Sequence, residues 1–147
     1  VDGDVSDHLG KEMAQLERFE YPDDQSKAVV SQLMSHKVIR DPNLSFPKTV
    51  VLLTDKFEAP SNIGDNYASK ISALFVAPVG GAYKFSVSGD DDATLLISSD
   101  TSVENLKMIA SLEGCGGSTN MRQYSTCVSQ TSTEIPLKEN YKYLIVA

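Results

Sequence analysis

The sequence predicts an all-β domain, either a sandwich or a barrel, with one or two short helical turns. Several segments of strand length are rich in β-branched and aromatic residues, and Gly, Pro, Asn and Asp cluster between them. Only one segment, 25–35, has apolar residues at helical spacing. The 147 residues are enough for one domain with a substantial core.

The chain begins with a polar segment and a possible helix. Residues 1–10 are acidic and contain glycine, which indicates a linker or the tail of a preceding domain, with the β domain itself over 11–147. Because there is no initiator methionine and no signal-peptide pattern, we expect a piece of a longer protein. Residues 12–21 are compatible with a short strand or a helical turn. Residues 25–35 are predicted as a short helix capped by Asp23-Asp24.

The middle of the chain alternates between strands and turns. β-Branched residues predict strands at 49–53 and 70–77. Pro78-Val79-Gly80-Gly81 then predicts a hairpin-type turn into a strand at 83–88, where apolar and polar residues alternate. A further apolar run at 93–97 is the next predicted strand.

The end of the chain continues this pattern. Thr101 and Glu104 have the spacing of a capping box, which predicts one short helical turn. Short strands are predicted at 108–112, 134–137 and 141–146.

Three consecutive carboxylates, Asp90, Asp91 and Asp92, lie between the strands predicted at 83–88 and 93–97. Their charges repel one another, and a simple reversal of the chain needs only Asn-Gly or Asp-Gly. Because Ca²⁺ binds carboxylate and carbonyl oxygens, the cluster suggests a cation site. A solvated acidic turn remains an equally simple interpretation.

The composition restricts the class of partner. The net charge of −7 and the pI near 4.7 argue against binding to nucleic acid or to anionic membranes. No apolar run approaches the length of a membrane span, so we expect no direct membrane insertion.

The two cysteines, Cys115 and Cys127, lie in a segment rich in glycine and serine. A zinc site would need two more ligands, and His8 and His36 lack ligand spacing. We therefore favour a disulfide, which indicates an oxidising, extracellular compartment. Asn43 begins an Asn-x-Ser sequon, a candidate glycosylation site.

An ordered series of motifs occupies the segments 57–71, 75–78, 81–91, 95–100, 135–137 and 141–146. This series resembles the protective-antigen-type domain, a family named after the fourteen-kilodalton fragment of the anthrax toxin's protective antigen. The resemblance runs from about Met13 to the end of the chain and is strongest from Phe57 onward. From Phe57 to Asp100 the sequence is most similar to the fibrocystin-like surface proteins of animals.

The resemblance implies an antiparallel β-sandwich that occurs in extracellular adhesins, glycosidases, toxins and receptors. In the yeast adhesin branch of the family, an Asp-Asp pair binds Ca²⁺, and the ion binds sugar hydroxyls. That pair matches Asp90 and Asp91 here, whereas Asp92 replaces a small or neutral residue. The remaining calcium ligands of those lectins follow the last matched strand, and they would fall after Ala147. We also expect the family's last strand to be missing here or to be supplied from outside this sequence.

Three functional interpretations follow. The first is a carbohydrate-binding or adhesion module, with or without assistance from Ca²⁺ at Asp90 and Asp91. Asn120 and Tyr124 could then supply hydrogen bonds and stacking, although each taken singly is more simply explained as an ordinary loop residue. The second is a structural or interaction module that contacts neighbouring extracellular domains or other chains. An enzyme, the third, is disfavoured because neither a Gly-x-Ser-x-Gly elbow nor a metalloprotease motif is present.

Overall fold

The computed structural model describes residues 14–20, 48–53, 56–64, 67–90, 92–116 and 118–147. In this part of the chain the protein is an all-β, sandwich-like fold of antiparallel strands, which confirms the predicted fold class. Helical structure among these residues is limited to two 3-10 turns, Val103–Asn105 and Val128–Gln130. None of their helices is long and apolar enough to cross a bilayer.

The chain forms two compact units, Val1–Leu74 and Phe75–Ala147. The linker predicted over 1–10, the helix predicted over 25–35 and the sequon at Asn43 lie outside the described residues. Each unit is therefore described from the strands that follow.

In the part of the first unit that the structure describes there are three strands, β1 (Ala14–Glu20), β2 (Lys48–Leu53) and β3 (Tyr67–Val76). The last two residues of β3 belong to the second unit. The strand order is β2-β1-β3. The segment that was compatible with a strand or a helical turn is thus a strand, β1. The predictions of strands at 49–53 and 70–77 are confirmed by β2 and β3.

The core of the first unit includes Ala14 and Leu16 on one face of β1, while Glu17 and Phe19 on the opposite face are also buried. Leu16 lies opposite Val51 of β2 and Ile71 of β3. Leu16 and Ile71 are buried, whereas Val51 is exposed. The apolar cluster consists of Ala14, Leu16 and Ile71 with the partly buried Leu53, Ala59 and Ala73.

Polar side chains also join β1 to β3. Glu17 and Lys70 are cross-strand partners whose side chains form an ion pair, with only 8% and 20% of their area exposed. The Arg18 guanidinium donates a hydrogen bond to the carbonyl of Ile63 at 3.0 Å. It also lies 5.9 Å from the centroid of the Tyr67 ring. The position of β1 therefore depends on charged groups as well as on apolar packing.

The described residues of the second unit form five strands in two sheets. One sheet pairs β4 (Gly81–Tyr83) with β7 (Ile135–Leu137). The other has the order β8-β5-β6, where β5 is Thr94–Ile97, β6 is Lys107–Ser111 and β8 is Lys142–Val146. The strands predicted at 93–97, 108–112, 134–137 and 141–146 are confirmed, with ends shifted by one residue.

The core of the second unit joins residues from both of its sheets. Phe75 packs edge to face against Tyr83 and Phe85, with ring centroids 5.7 and 5.4 Å apart. These rings cover a buried cluster, which consists of Ala77, Ile97, Leu137 and Tyr143. Burial of this apolar surface is the main stabilising contribution in the unit.

The hairpin predicted at 78–81 is wrong. The chain does turn there, but β4 pairs with β7 and places Gly81 opposite Leu137 and Tyr83 opposite Ile135. Alternating polarity reports which face of a strand is buried, and it does not identify the neighbouring strand. The acidic segment after residue 88 is consequently a connection between two sheets.

Candidate functional site

The segment that leads into the acidic loop shows the predicted alternation of burial. Val87 is buried, and Tyr83 and Phe85 are half-buried, whereas Lys84 and Ser86 are exposed. The prediction of a strand over 83–88 is wrong, because regular strand structure ends at Tyr83 and Ser86 makes only an isolated antiparallel bridge with Thr131. The apolar side chains anchor the segment in the core and leave the following residues at the surface.

Gly89 stands where the chain enters the acidic loop. A Cβ atom at this position would come within 3.0 Å of the Ala93 Cβ and 3.6 Å of the Leu112 Cδ1. The first distance is shorter than most contacts between side-chain carbons, so a side chain at this position would require Ala93 to move by a few tenths of an ångström. The base of the loop is therefore closely packed.

Thr119 fixes this base to the segment that follows Cys115. Its backbone N–H donates to the Gly89 carbonyl at 2.8 Å, and its hydroxyl donates to the same carbonyl at 3.2 Å. The Gly89 N–H donates in turn to the Thr119 hydroxyl at 3.1 Å. Nearby, the N–H of Arg122 donates to the Ser88 hydroxyl at 3.0 Å. Two segments distant in sequence are thus held side by side.

Gln130 is the central residue of the second segment and is fully buried. Its side-chain oxygen accepts hydrogen bonds from the N–H groups of Thr126 and Cys127, at 2.8 and 3.2 Å. Its amide nitrogen donates to the carbonyls of Val87 and Gln123, at 2.9 and 2.7 Å. One buried amide therefore satisfies four backbone groups.

The predicted disulfide between Cys115 and Cys127 is present, with their Cα atoms 5.2 Å apart. The Ser129 hydroxyl adds a hydrogen bond to the Glu113 carbonyl at 2.9 Å, close to the sulfur atoms. Closing a loop of this length stabilises the folded chain by about 3 kcal/mol. The covalent link and the Gln130 network act on the same polar loop.

The structure brings two of the predicted binding segments together. Asp90 follows Gly89 and Asn120 follows Thr119, so each predicted residue is adjacent in the chain to this hydrogen-bonded pair. Both Asp90 and Asn120 are exposed. A surface formed by the acidic loop and the disulfide loop is thus available to solvent.

The other predicted residues lie on the same two segments. Asp92 is exposed, and Tyr124 has 46% of its surface exposed. Among the described residues, no group of three or more His, Cys, Asp and Glu has the arrangement of a metal site. Asp91 is outside those residues, so calcium binding at Asp90 and Asp91 stays a prediction.

A second acidic position, Asp100, has a different environment. One carboxylate oxygen accepts hydrogen bonds from the Ser102 N–H and the Ser98 hydroxyl, both at 2.8 Å. The other accepts from the Asn105 side-chain amide at 2.7 Å. These donors, led by the Ser102 N–H, lower the pKa of Asp100. The carboxylate therefore serves as a local organiser of the 3-10 turn.

The cap of this turn differs from the prediction. Ser102 is the N-cap, and its hydroxyl accepts a hydrogen bond from the Glu104 N–H at 3.2 Å. Thr101, the predicted cap, is exposed. The turn itself was predicted correctly, but its first residue lies one position later.

Two residues that hold the loops together, Thr119 and Gln130, were not predicted from the sequence. Both occur in a stretch of polar residues that is typical of a solvated loop. The exposed Gln123 has the same side chain as the buried Gln130, a few positions away. No local pattern distinguishes them, because burial here depends on the distant segment at Val87.

Comparison of the chain with protein-family models, with curated proteins and with solved structures finds no match. The resemblance to the protective-antigen-type domain stays a prediction from the motifs.

Proposed function

We propose that the chain is a non-catalytic, extracellular module that binds carbohydrate at the surface formed by the acidic loop and the disulfide loop. The observation that carries the proposal is the set of hydrogen bonds between Gly89 and Thr119, which holds the two loops side by side. The disulfide supports an oxidising compartment.

In this proposal Ca²⁺ binds at Asp90 and Asp91. Calcium takes six to eight oxygen ligands, so two carboxylates leave positions for backbone carbonyls, water and the hydroxyl groups of a sugar. The Asn120 amide would donate hydrogen bonds to the ligand, and the Tyr124 ring would pack against its apolar face. The loop anchors at Thr119 and Gln130 would keep these groups in place.

The acidic loop is not proposed as a catalytic pair. Glycosidases need two carboxyl groups about 5–9 Å apart on opposite sides of the scissile bond. Adjacent carboxylates on one loop do not straddle a sugar in this way. Asp90 to Asp92 are therefore assigned to binding.

Isothermal titration calorimetry with calcium tests the metal step. We compare the wild type with the double variant Asp90→Asn/Asp91→Asn, and with Glu104→Gln/Glu139→Gln, which removes two exposed carboxylates elsewhere. The wild type and the control are expected to bind Ca²⁺ at about millimolar concentration or below, and the first variant is not. Absence of binding to the wild type would refute a calcium site formed by the residues of this chain alone.

A glycan array with and without chelator tests the carbohydrate step. Binding of the wild type that is lost with chelator and lost in Asp90→Asn/Asp91→Asn supports the complete proposal. Binding that resists chelator but is lost in Asn120→Ala/Tyr124→Ala supports carbohydrate recognition without the ion. Calcium binding without any bound glycan would leave the ion in a structural role.

A structural or interaction module is the second candidate function. A specific observation favours it: the consecutive residues Val50, Val51 and Leu52 of β2 are exposed. An exposed aliphatic row on a strand is typical of a protein–protein contact. In this case the acidic loop would be a solvated turn, with neither sugar nor metal as its ligand.

A further inference from the structure

β2 exposes an unusual run of apolar side chains. Val50, Val51 and Leu52 have 50%, 45% and 42% of their surface exposed. Because successive residues of a strand point to opposite faces, the exposed run includes both faces of β2. The core of the first unit therefore does not cover these three side chains.

The backbone of β2 has a neighbour on one side. Its residues pair with β1, from Ala14 opposite Leu53 to Phe19 opposite Lys48. Among the described residues no strand pairs with the other side of β2. An aliphatic strand with an open edge is a template for pairing with a further strand.

The chemistry of the strand restricts the occupant. Residues 49–53 contain no charged side chain, so a charged peptide or an ionic ligand finds no counter-charge there. The sequence has Lys48 at the start of β2 and Asp55 two residues after its end. Lys56, the next residue, has its own ion-pair partner in Glu58, at 3.8 Å. Antiparallel pairing of two such strands places the positively charged end of one strand beside the negatively charged end of the other, whereas parallel pairing places ends of the same charge together.

We propose that β2 pairs in the antiparallel direction with β2 of a second copy of the chain, about a two-fold axis at Val51. Directly opposite residues of antiparallel strands point to the same face. A two-fold axis perpendicular to the sheet relates the two copies without exchanging the faces of the sheet. Opposite residues are then an even number of positions apart in the sequence, so one residue of β2 lies opposite its own copy at the axis. With the axis at Val51, the middle of the exposed run, Val51 faces its copy and Val50 faces Leu52.

This pairing forms a closed dimer. Both partners use the same strand, so the interface is isologous and leaves no free copy of β2 for a third chain. The exposed aliphatic residues of each copy then cover those of the other. The proposal concerns the first unit and is independent of carbohydrate binding by the second.

Introducing charges of opposite sign at Val51 tests the proposal. Sedimentation equilibrium is measured for the wild type, for Val51→Lys, for Val51→Glu and for an equimolar mixture of the two variants. Val79→Lys and Val79→Glu are matched controls at an exposed turn position, where 62% of Val79 is accessible. Thermal unfolding of every variant checks that it is folded.

We expect the wild type and both Val79 variants to be dimers. In each Val51 variant, two like charges face each other across the axis, which should raise the dissociation constant of the dimer by at least about 100-fold. In the mixture Lys faces Glu, so dimers of one chain of each kind should form. This recovery also shows that the single variants fold.

Three outcomes would overturn the proposal. A wild type that stays monomeric over roughly a hundred-fold range of concentration has no such interface. Dimers that persist in both Val51 variants use another surface. A mixture that stays monomeric, although its components are folded, excludes a two-fold axis at Val51.

Discussion

Gln130 shows how a single buried side chain organises a polar loop. Its amide contacts Val87, Gln123, Thr126 and Cys127 through their backbone groups. Replacement by leucine preserves the approximate volume of the side chain but removes its hydrogen bonds to these four backbone groups. A buried polar group without a hydrogen bond costs about 1–3 kcal/mol. Because water can reach some of the four groups, the total cost is smaller than the sum of four such penalties.

We therefore predict that Gln130→Leu lowers the free energy of unfolding by about 3 kcal/mol. Urea titration followed by circular dichroism measures this, since the chain contains no tryptophan. The control Gln123→Leu changes an exposed glutamine of the same loop and should cost about 1 kcal/mol at most. Equal losses in both variants would contradict the assigned role of the buried amide.

Asp100 gives a prediction about pH. Hydrogen bonds from Ser102, Ser98 and Asn105 lower its pKa below the ordinary value of 3.8. The unfolded chain therefore takes up the proton first as pH falls, and the ionised carboxylate stabilises the fold above 3.8. That contribution is lost as pH falls through the pKa of the folded state. Because the group is solvent-exposed, the effect is small.

Asp100→Asn is expected to lower the melting temperature at neutral pH, with a difference from the wild type that shrinks at pH values below 3.8. Thermal unfolding by circular dichroism over this pH range provides the measurement. Glu139→Gln controls for the loss of one charge. A difference that stays constant, or that grows in acid, would show that the hydrogen bonds to the carboxylate do not stabilise the fold.

At the scale of elements, the ion pair between Glu17 and Lys70 links β1 to β3 within the first unit. Removing one partner of a buried pair is costly, whereas replacing both by apolar residues is often neutral. We predict that Lys70→Met lowers the free energy of unfolding by about 3 kcal/mol. Glu17→Leu/Lys70→Met should recover most of this loss.

Urea titrations of both variants measure the effect. Lys84→Met is a matched control, because the Lys84–Glu134 pair is exposed and exposed pairs contribute about 0–1 kcal/mol. A double variant that is as unstable as the single one would contradict this account. In that case the charges would be needed for the register of β1 itself.

The strands of the second unit could be predicted from the sequence, but their partners could not. β5, β6, β7 and β8 agree with the predicted segments because local alternation and turn residues decide where a strand begins and ends. The pairing of β4 with β7 joins Tyr83 to Ile135, which is far away in the sequence. Such contacts leave no signal at short sequence separation.

The candidate site was predictable to a similar extent. The acidic loop and the cysteine pair were recognised from unusual local composition, and Cys115–Cys127 is confirmed. The contacts that place the loops side by side, at Thr119 and Gln130, are long-range hydrogen bonds of ordinary residues. Composition predicts which segments are unusual, whereas the tertiary fold determines which of them meet.

At the scale of the whole molecule, the net charge of −7 opposes the dimer proposed at β2. Two copies repel each other at long range, and salt weakens this repulsion. Raising the ionic strength from about 10 to about 150 mM shortens the Debye length from roughly 30 to roughly 8 Å. We therefore predict that salt tightens the dimer, with a dissociation constant about tenfold lower at the higher ionic strength.

Sedimentation equilibrium across this range, in the presence of chelator, provides the measurement. Chelator is needed because calcium bound at the acidic loop would itself reduce the net negative charge and tighten the dimer. Ion pairs at a protein surface contribute only about 0–1 kcal/mol, so screening of the charges of Lys48 and Asp55 is not expected to reverse the trend. A dimer that weakens with salt would instead be held by ion pairs. That result would contradict an interface formed by Val50, Val51 and Leu52.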